Sequence, residues 1–103
     1  MRVMMKVNIP VEAGNAAARE GTLARKIQAI LEDLEPEAAY FTDNEGQRAG
    51  FLFLHLKDSS EIPRIAEPWF HAFDARVEIH PVMAAEDLRK AAPYLEQAVS
   101  QYA

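Results

Sequence analysis

The chain has 103 residues, a net charge of −5 at pH 7 and a pI near 5.1. That acidic balance disfavours non-specific attraction to nucleic acid or to anionic membrane. The absence of cysteine excludes disulfides, thiolate metal sites and cysteine nucleophiles.

The expectation is one domain over residues 1–103. The opening stretch MRVMMKVNIP does not read as a signal peptide, because Lys6 interrupts the apolar run. No segment approaches the ~18 apolar residues of a membrane span. A cytoplasmic protein without membrane contact is therefore expected.

Arg2–Ile9 alternates, with Val3, Met5, Val7 and Ile9 on one face and Met4, Lys6 and Asn8 on the other, and reads as strand one. Pro10 and Gly14 mark its exit, and Asn15 is a candidate N-cap for a long helix. Leu23, Ile27, Ile30, Leu31 and Leu34 form that helix's apolar stripe. Gly21-Thr22 divides it into a weak front and a strong rear, and Pro36 stops it.

Ala38–Thr42 is strand two and Gln47–Leu56 strand three, with a hairpin turn signal in Asp43-Asn44-Glu45-Gly46 between them. An even-length loop places Tyr40 on the Phe51 face, and a three-residue loop places Phe41 there; we expect Tyr40. Ser60 is the next candidate N-cap, with Pro63 at the third helical position. Ile62, Ile65, Ala66, Trp69, Phe70 and Phe73 form the cleanest helical stripe in the chain, with Pro68 inside it. The adjacent Trp69 and Phe70 read as core. The acid-rich run at 31–37 reads as a solvated helix end. Ala75–Val82 is strand four. A last helix begins near Ala85 and carries Leu88, Ala92, Leu95 and Val99, with a kink at Pro93.

The order β-α-β-β-α-β, followed by a helix, is the split βαβ, ferredoxin-like α+β plan. Right-handed crossovers give a four-stranded antiparallel sheet in the order 4-1-3-2 with both main helices on one face. The stretch GFLFLHLKD is apolar on both faces of strand three. Leu52, Leu54 and Leu56 belong against the helices. Phe51, Phe53 and His55 then lie on the open face with Met4, Lys6, Asn8, Tyr40, Arg76, Glu78 and His80. Burying Tyr40, Phe51 and Phe53 is worth on the order of 5 kcal/mol or more, against about 4–15 kcal/mol lost on association. The cover is a second subunit, the last helix, or a flat ligand.

In this element order and length, residues 2–83 resemble the dimeric α/β-barrel superfamily. It includes muconolactone isomerases, cofactor-free monooxygenases and stress-responsive barrel proteins. The segment IAEPWFHAFDARVEIHPVM also resembles small uncharacterised bacterial proteins of this architecture. The resemblance implies a homodimer whose two open sheet faces enclose a pocket, and it carries no catalytic motif over to this chain.

Within that pocket His55 is the candidate catalytic residue, as general base or acid. The alternative is a hydrogen-bonded histidine at the barrel mouth, which its place near the strand end favours. Strand order puts Met4 between His55 and His80, and Lys6 near Glu78. The histidines are then about 10 Å apart, two sheet spacings, too far to share a metal, so no metal is expected. His80 precedes Pro81 at a strand end, and His71 reads as surface. Lys6 and Glu78 form either an anion-binding and acid–base pair or a cross-strand ion pair that sets register. Asn8 either orients a ligand carbonyl or satisfies backbone at the strand end. Lys6, Asn8, Tyr40, Phe51, Phe53, Glu78 and His80 are the candidate ligand-binding residues, for a small, partly apolar molecule and without a cofactor.

An RNA-recognition motif has the same topology and stacks bases on strand three. Gly50, Phe51 and Phe53 match its signature, but Ala49, Leu52 and Leu56 do not. Strand one offers no aromatic, and the charge is wrong, so no nucleic-acid partner is expected. The readings that stay open are a binding module, a cofactor-independent isomerase or monooxygenase using His55, and a structural dimer with no ligand.

Overall fold

A computed structural model describes residues 1–103. The elements are β1 (Arg2–Ile9), α1 (Val11–Arg19), α2 (Leu23–Leu34), β2 (Ala38–Asn44), β3 (Gln47–His55), α3 (Ile62–Phe73), β4 (Arg76–Pro81) and α4 (Ala85–Tyr102). A short 3-10 turn, Ser59–Glu61, leads into α3. The four strands form one antiparallel sheet in the order β2-β3-β1-β4. This is the ferredoxin-like α+β arrangement that the element order implies.

The alternation of β1 decides what lies between sheet and helices. Val3, Met5, Val7 and Ile9 are all buried, as are Leu52, Leu54 and Leu56 from β3 and the segment after it. Trp69, Ile65 and Phe73 from α3 and Ile30 and Leu34 from α2 close the other side of this core. Trp69 and Phe73 stack tilted, with centroids 6.3 Å apart. The α3 stripe is narrower than its spacing suggests: Trp69 is fully buried, but its neighbour Phe70 and Ile62 stay about 40% exposed.

Several helix starts differ from the sequence reading. α1 begins at Val11 behind Pro10, and the Gly14 N–H already donates to the Pro10 carbonyl. Gly14 is therefore helical, buried beside Arg48, where a Cβ would stand 2.5 Å from that guanidinium. Asn15 accepts from Arg48 Nη2 at 3.1 Å instead of capping. Asp58 rather than Ser60 caps the turn before α3, accepting from the Ser60 N–H at 2.8 Å. Pro63 then falls second in α3, where its missing N–H has no intrahelical partner to lose. The break at Gly21-Thr22 is present, and Glu35 ends α2 in a left-handed conformation (φ 47°) just before Pro36. Neither Pro68 nor Pro93 ends its helix.

The β2–β3 turn is tighter than the four-residue signal. Asn44 pairs with Gln47, leaving only Glu45 and Gly46, both at positive φ (53° and 76°). That is the two-residue turn whose twist matches its strands. Its even length puts Tyr40 opposite Phe51, as expected.

Candidate functional site: the open face of the sheet

Pairing register builds the face opposite the helices. Across it run Tyr40–Phe51–Lys6–Glu78 in one row and Ala38–Phe53–Met4–His80 in the next. Arg2 stands opposite His55 at one end, and Thr42–Ala49–Asn8–Arg76 form the row at the other. Met4 thus lies between Phe53 and His80, not between His55 and His80. The difference is one side-chain step: β1 pairs with β3 two residues further along than the estimate from strand order. Lys6 does face Glu78.

No element of the chain covers the centre of this face. Tyr40 is 65% exposed, and Met4, Phe51 and Phe53 are half-buried by their neighbours alone. Lys6 Nζ sits 2.9 Å from Glu78 Oε2, with Lys6 the more sheltered of the two. The Lys6 ammonium, by hydrogen bond and by charge, holds the Glu78 carboxyl below the usual carboxylate range. His80 Nε2 stands 3.9 Å from the same carboxylate. A positive and a negative group therefore flank an apolar patch of two phenylalanines and a methionine.

At the β3 end, Glu37 gathers two partners. Arg2 binds its carboxylate through both Nε and Nη2, and His55 Nε2 lies 3.7 Å from Oε2. The hydrogen bond from Arg2 is the main cause that keeps the Glu37 carboxyl depressed, and it raises the Arg2 guanidinium in turn. The His55 side chain is 61% exposed, at the rim rather than among the rings.

At the opposite end Asn8 is buried, with 1% of its surface exposed. Its Nδ2 donates toward the Asn44 carbonyl (3.2 Å), Asn44 Oδ1 (3.3 Å) and Gln47 Oε1 (3.2 Å). Its own Oδ1 is buried and has no donor. Arg76, opposite Asn8 on β4, reaches Glu45 in the hairpin turn at 2.8 Å. Asn8 therefore ties the hairpin end to β1, the backbone-satisfying role that its strand-end position allowed.

Arg2, Glu37, Asn44, Glu45 and Gln47 belong to this constellation and were not among the sequence candidates. Glu37 looked like part of a solvated helix end. The hairpin register carries only part of the signal: with Ala38 opposite Phe53, residue 37 falls opposite Leu54, one position from His55. His71 is on the surface as expected, 3.3 Å from Glu67 one turn away. No group of three or more His, Asp or Glu side chains is placed to hold a metal ion, and no helix is long and apolar enough to cross a membrane.

Comparison with one solved structure supports the same architecture. The chain superposes on 5-chloro-2-hydroxyhydroquinone dehydrochlorinase (TftG) from Burkholderia phenoliruptrix AC1100, solved in complex with 2,5-dihydroxybenzoquinone. The TM-score is 0.61 at 16% identity, over 84% of this chain and 98% of that one. A de novo designed protein, Ferredog-Diesel, aligns more loosely, with TM-score 0.45 and 8% identity over 79% and 85% of the two chains. No curated protein matches the sequence. The family model for the domain of unknown function DUF3303 matches residues 1–95, nearly the whole chain, and the protein belongs to that family.

Proposed function

We propose that this protein binds a small, flat, partly apolar molecule between the open sheet faces of two copies, without a tightly held cofactor. One observation carries the reading: Met4, Tyr40, Phe51 and Phe53 form an uncovered apolar patch flanked by the Lys6–Glu78 pair. Ligand pockets combine such apolar walls with a few placed polar groups. The patch is open on one side, so a second copy is what turns it into a cavity. Lys6 would meet an oxygen of the ligand with positive charge, and Glu78 would accept a hydroxyl proton in a hydrogen bond. The dihydroxybenzoquinone bound by TftG has this chemistry, a ring with acidic hydroxyl and carbonyl oxygens.

A second reading makes the site catalytic. Glu37 Oε2 lies 3.7 Å from His55 Nε2 and helps to position the imidazole at the rim. An imidazole so supported is suited to accept a proton from a ligand at the β3 end of the face, as a cofactor-independent isomerase or monooxygenase would require. The third reading, a structural dimer, keeps the interface and has no ligand. In either reading with a ligand the protein acts in the cytoplasm, on a small molecule rather than nucleic acid or membrane.

Native mass spectrometry of the purified protein, with and without added 2,5-dihydroxybenzoquinone, tests the proposal. A dimer that carries the probe, and loses it in Phe51→Ala and Lys6→Met, supports ligand binding. A dimer that never carries it leaves the structural reading in its place. A monomer at micromolar concentration overturns the enclosed cavity. If a substrate is then found, unchanged turnover by His55→Ala removes the base assignment.

A further inference from the structure

Helix α4 is the least accounted-for part of the molecule. Its 18 residues, about 27 Å long at helical rise, contain no buried residue. Leu88, Leu95, Val99 and Tyr102 are each more than half exposed. The molecule measures 58 × 28 × 21 Å because this helix stands clear of the body. Isolated helices of about this length are marginal in water unless an apolar face is buried. The stripe therefore calls for a partner, and its spacing says which kind.

Ala85, Leu88, Ala92, Leu95, Val99 and Tyr102 recur at alternating steps of three and four. These are the a and d positions of a heptad, the seam by which helices pair with each other. Lys90 and Gln97 lie on the opposite side, and Pro93 also falls away from the seam. Read in either direction, the stripe is self-complementary. In an antiparallel pair Ala85 meets the partner's Tyr102, Leu88 meets the partner's Val99, and Ala92 meets the partner's Leu95. Two of these three layers set an alanine against a larger residue, which keeps the seam even. One flank carries Ala91 and Ala98, small enough for close approach. The other carries Arg89 and Glu96, and the antiparallel arrangement brings Arg89 beside the partner's Glu96 twice. A parallel pair would stack Ala92 on the partner's Ala92 and leave both charges without opposites. A two-fold contact requires that residue i meets j and j meets i, and the antiparallel seam satisfies this along its whole length.

We infer that α4 is an antiparallel pairing helix, whose partner is α4 of a second copy of this chain. This interface is separate from the sheet face and does not rest on the ligand reading. The chain's own groove between α3 and β4, about 430 Å³ and lined by Ile62, Ala66, Phe70, Val77 and Ile79, is the competing seat for the stripe.

Because the protein has no cysteine, introduced thiols report the pairing without background. Leu88→Cys and Val99→Cys chains, given tags of different size, are co-expressed, oxidised and separated without reductant. The expected product is a disulfide between the two kinds of chain. Leu88→Cys alone should not link, since its two thiols would lie about 16 Å apart along the helices, beyond disulfide reach. Adding Leu95→Glu to both chains should abolish the link while circular dichroism shows the fold retained. It should also lower the mass seen by light scattering, whatever Phe51→Ala does to ligand binding. A Leu88→Cys self-link would show a parallel pair and overturn the inference. So would the absence of any link in the mixed sample, the result expected if α4 folds onto its own groove.

Discussion

Replacing Asn8 with Asp separates a structural from a ligand-facing role for this residue. Asn8 Nδ2 faces three oxygens at 3.2–3.3 Å, from Asn44 and Gln47, in a site only 1% exposed. Asn8→Asp puts an oxygen where the donor stood. An ionised carboxylate there would be buried against acceptors and without a donor, so the introduced carboxyl must have its pKa raised in the folded state, by ~3 units or more. The sign follows from linkage. Below the unfolded value of about 3.9 both states are protonated and this penalty is absent. As pH rises, the unfolded chain ionises first, and stability relative to wild type falls by about 1.4 kcal/mol per pH unit. At pH 7 the deficit would reach ~4 kcal/mol. Asn8→Ala should cost about 1–3 kcal/mol, independent of pH, for the acceptors it leaves unpaired. Urea denaturation of wild type and both variants from pH 4.5 to 7.5, followed by fluorescence of Trp69, measures these differences. A deficit for Asn8→Asp that is flat with pH, or absent at pH 7, would refute the argument that the Asn8 amide is needed as a buried donor.

Wild type should lose stability in acid. Glu37 and Glu78 have depressed folded-state pKa values, so their contribution is complete above the unfolded value near 4.5 and is lost as pH falls through the folded ones. Lys6→Met should make this loss shallower, which a series of melting temperatures between pH 3 and 6 would show. Trp69→Ala should destabilise by about 3–5 kcal/mol in chemical denaturation followed by circular dichroism. Trp69→Phe should cost much less, because the indole N–H that it removes is buried without a partner. Gly46→Ala meets no steric neighbour but sits at φ 76°. It should cost on the order of 1 kcal/mol in the same assay, and no loss would mean that the turn has relaxed to another conformation.

The face residues were legible because strand alternation is a strictly local signal. The two-sided apolar pattern of Gly50–Leu56 alone implies a covered second face. The turn length then places Tyr40 beside Phe51, and the strand order places Lys6 beside Glu78. The networks at the two ends were not legible. Glu37 reaches Arg2 and His55 across 35 and 18 positions of sequence, and Arg76 reaches Glu45 across 31. Nothing in the local pattern distinguishes such carboxylates from solvated ones. Helix starts were displaced for a related reason. Gly14 looks like a breaker, yet it is helical: α1 passes close to Arg48, and a Cβ at residue 14 would crowd the end of the Arg48 side chain.

Residue order by itself determined the order of the elements, the strand order and the two faces of the strands, since hydrophobic periodicity is a local signal and right-handed crossovers leave few ways to order the strands. Tertiary structure decided the exact pairing of β1 with β3, which seats His55 opposite Arg2 at the rim and brings Met4 beside Phe53. It also decided that Asn8 is buried as a hairpin tie and that α4 leaves the body unburied. These depend on how far the strands slide and where the chain runs after β4. Contacts among residues distant in sequence set both, and those exist only once the sheet has assembled.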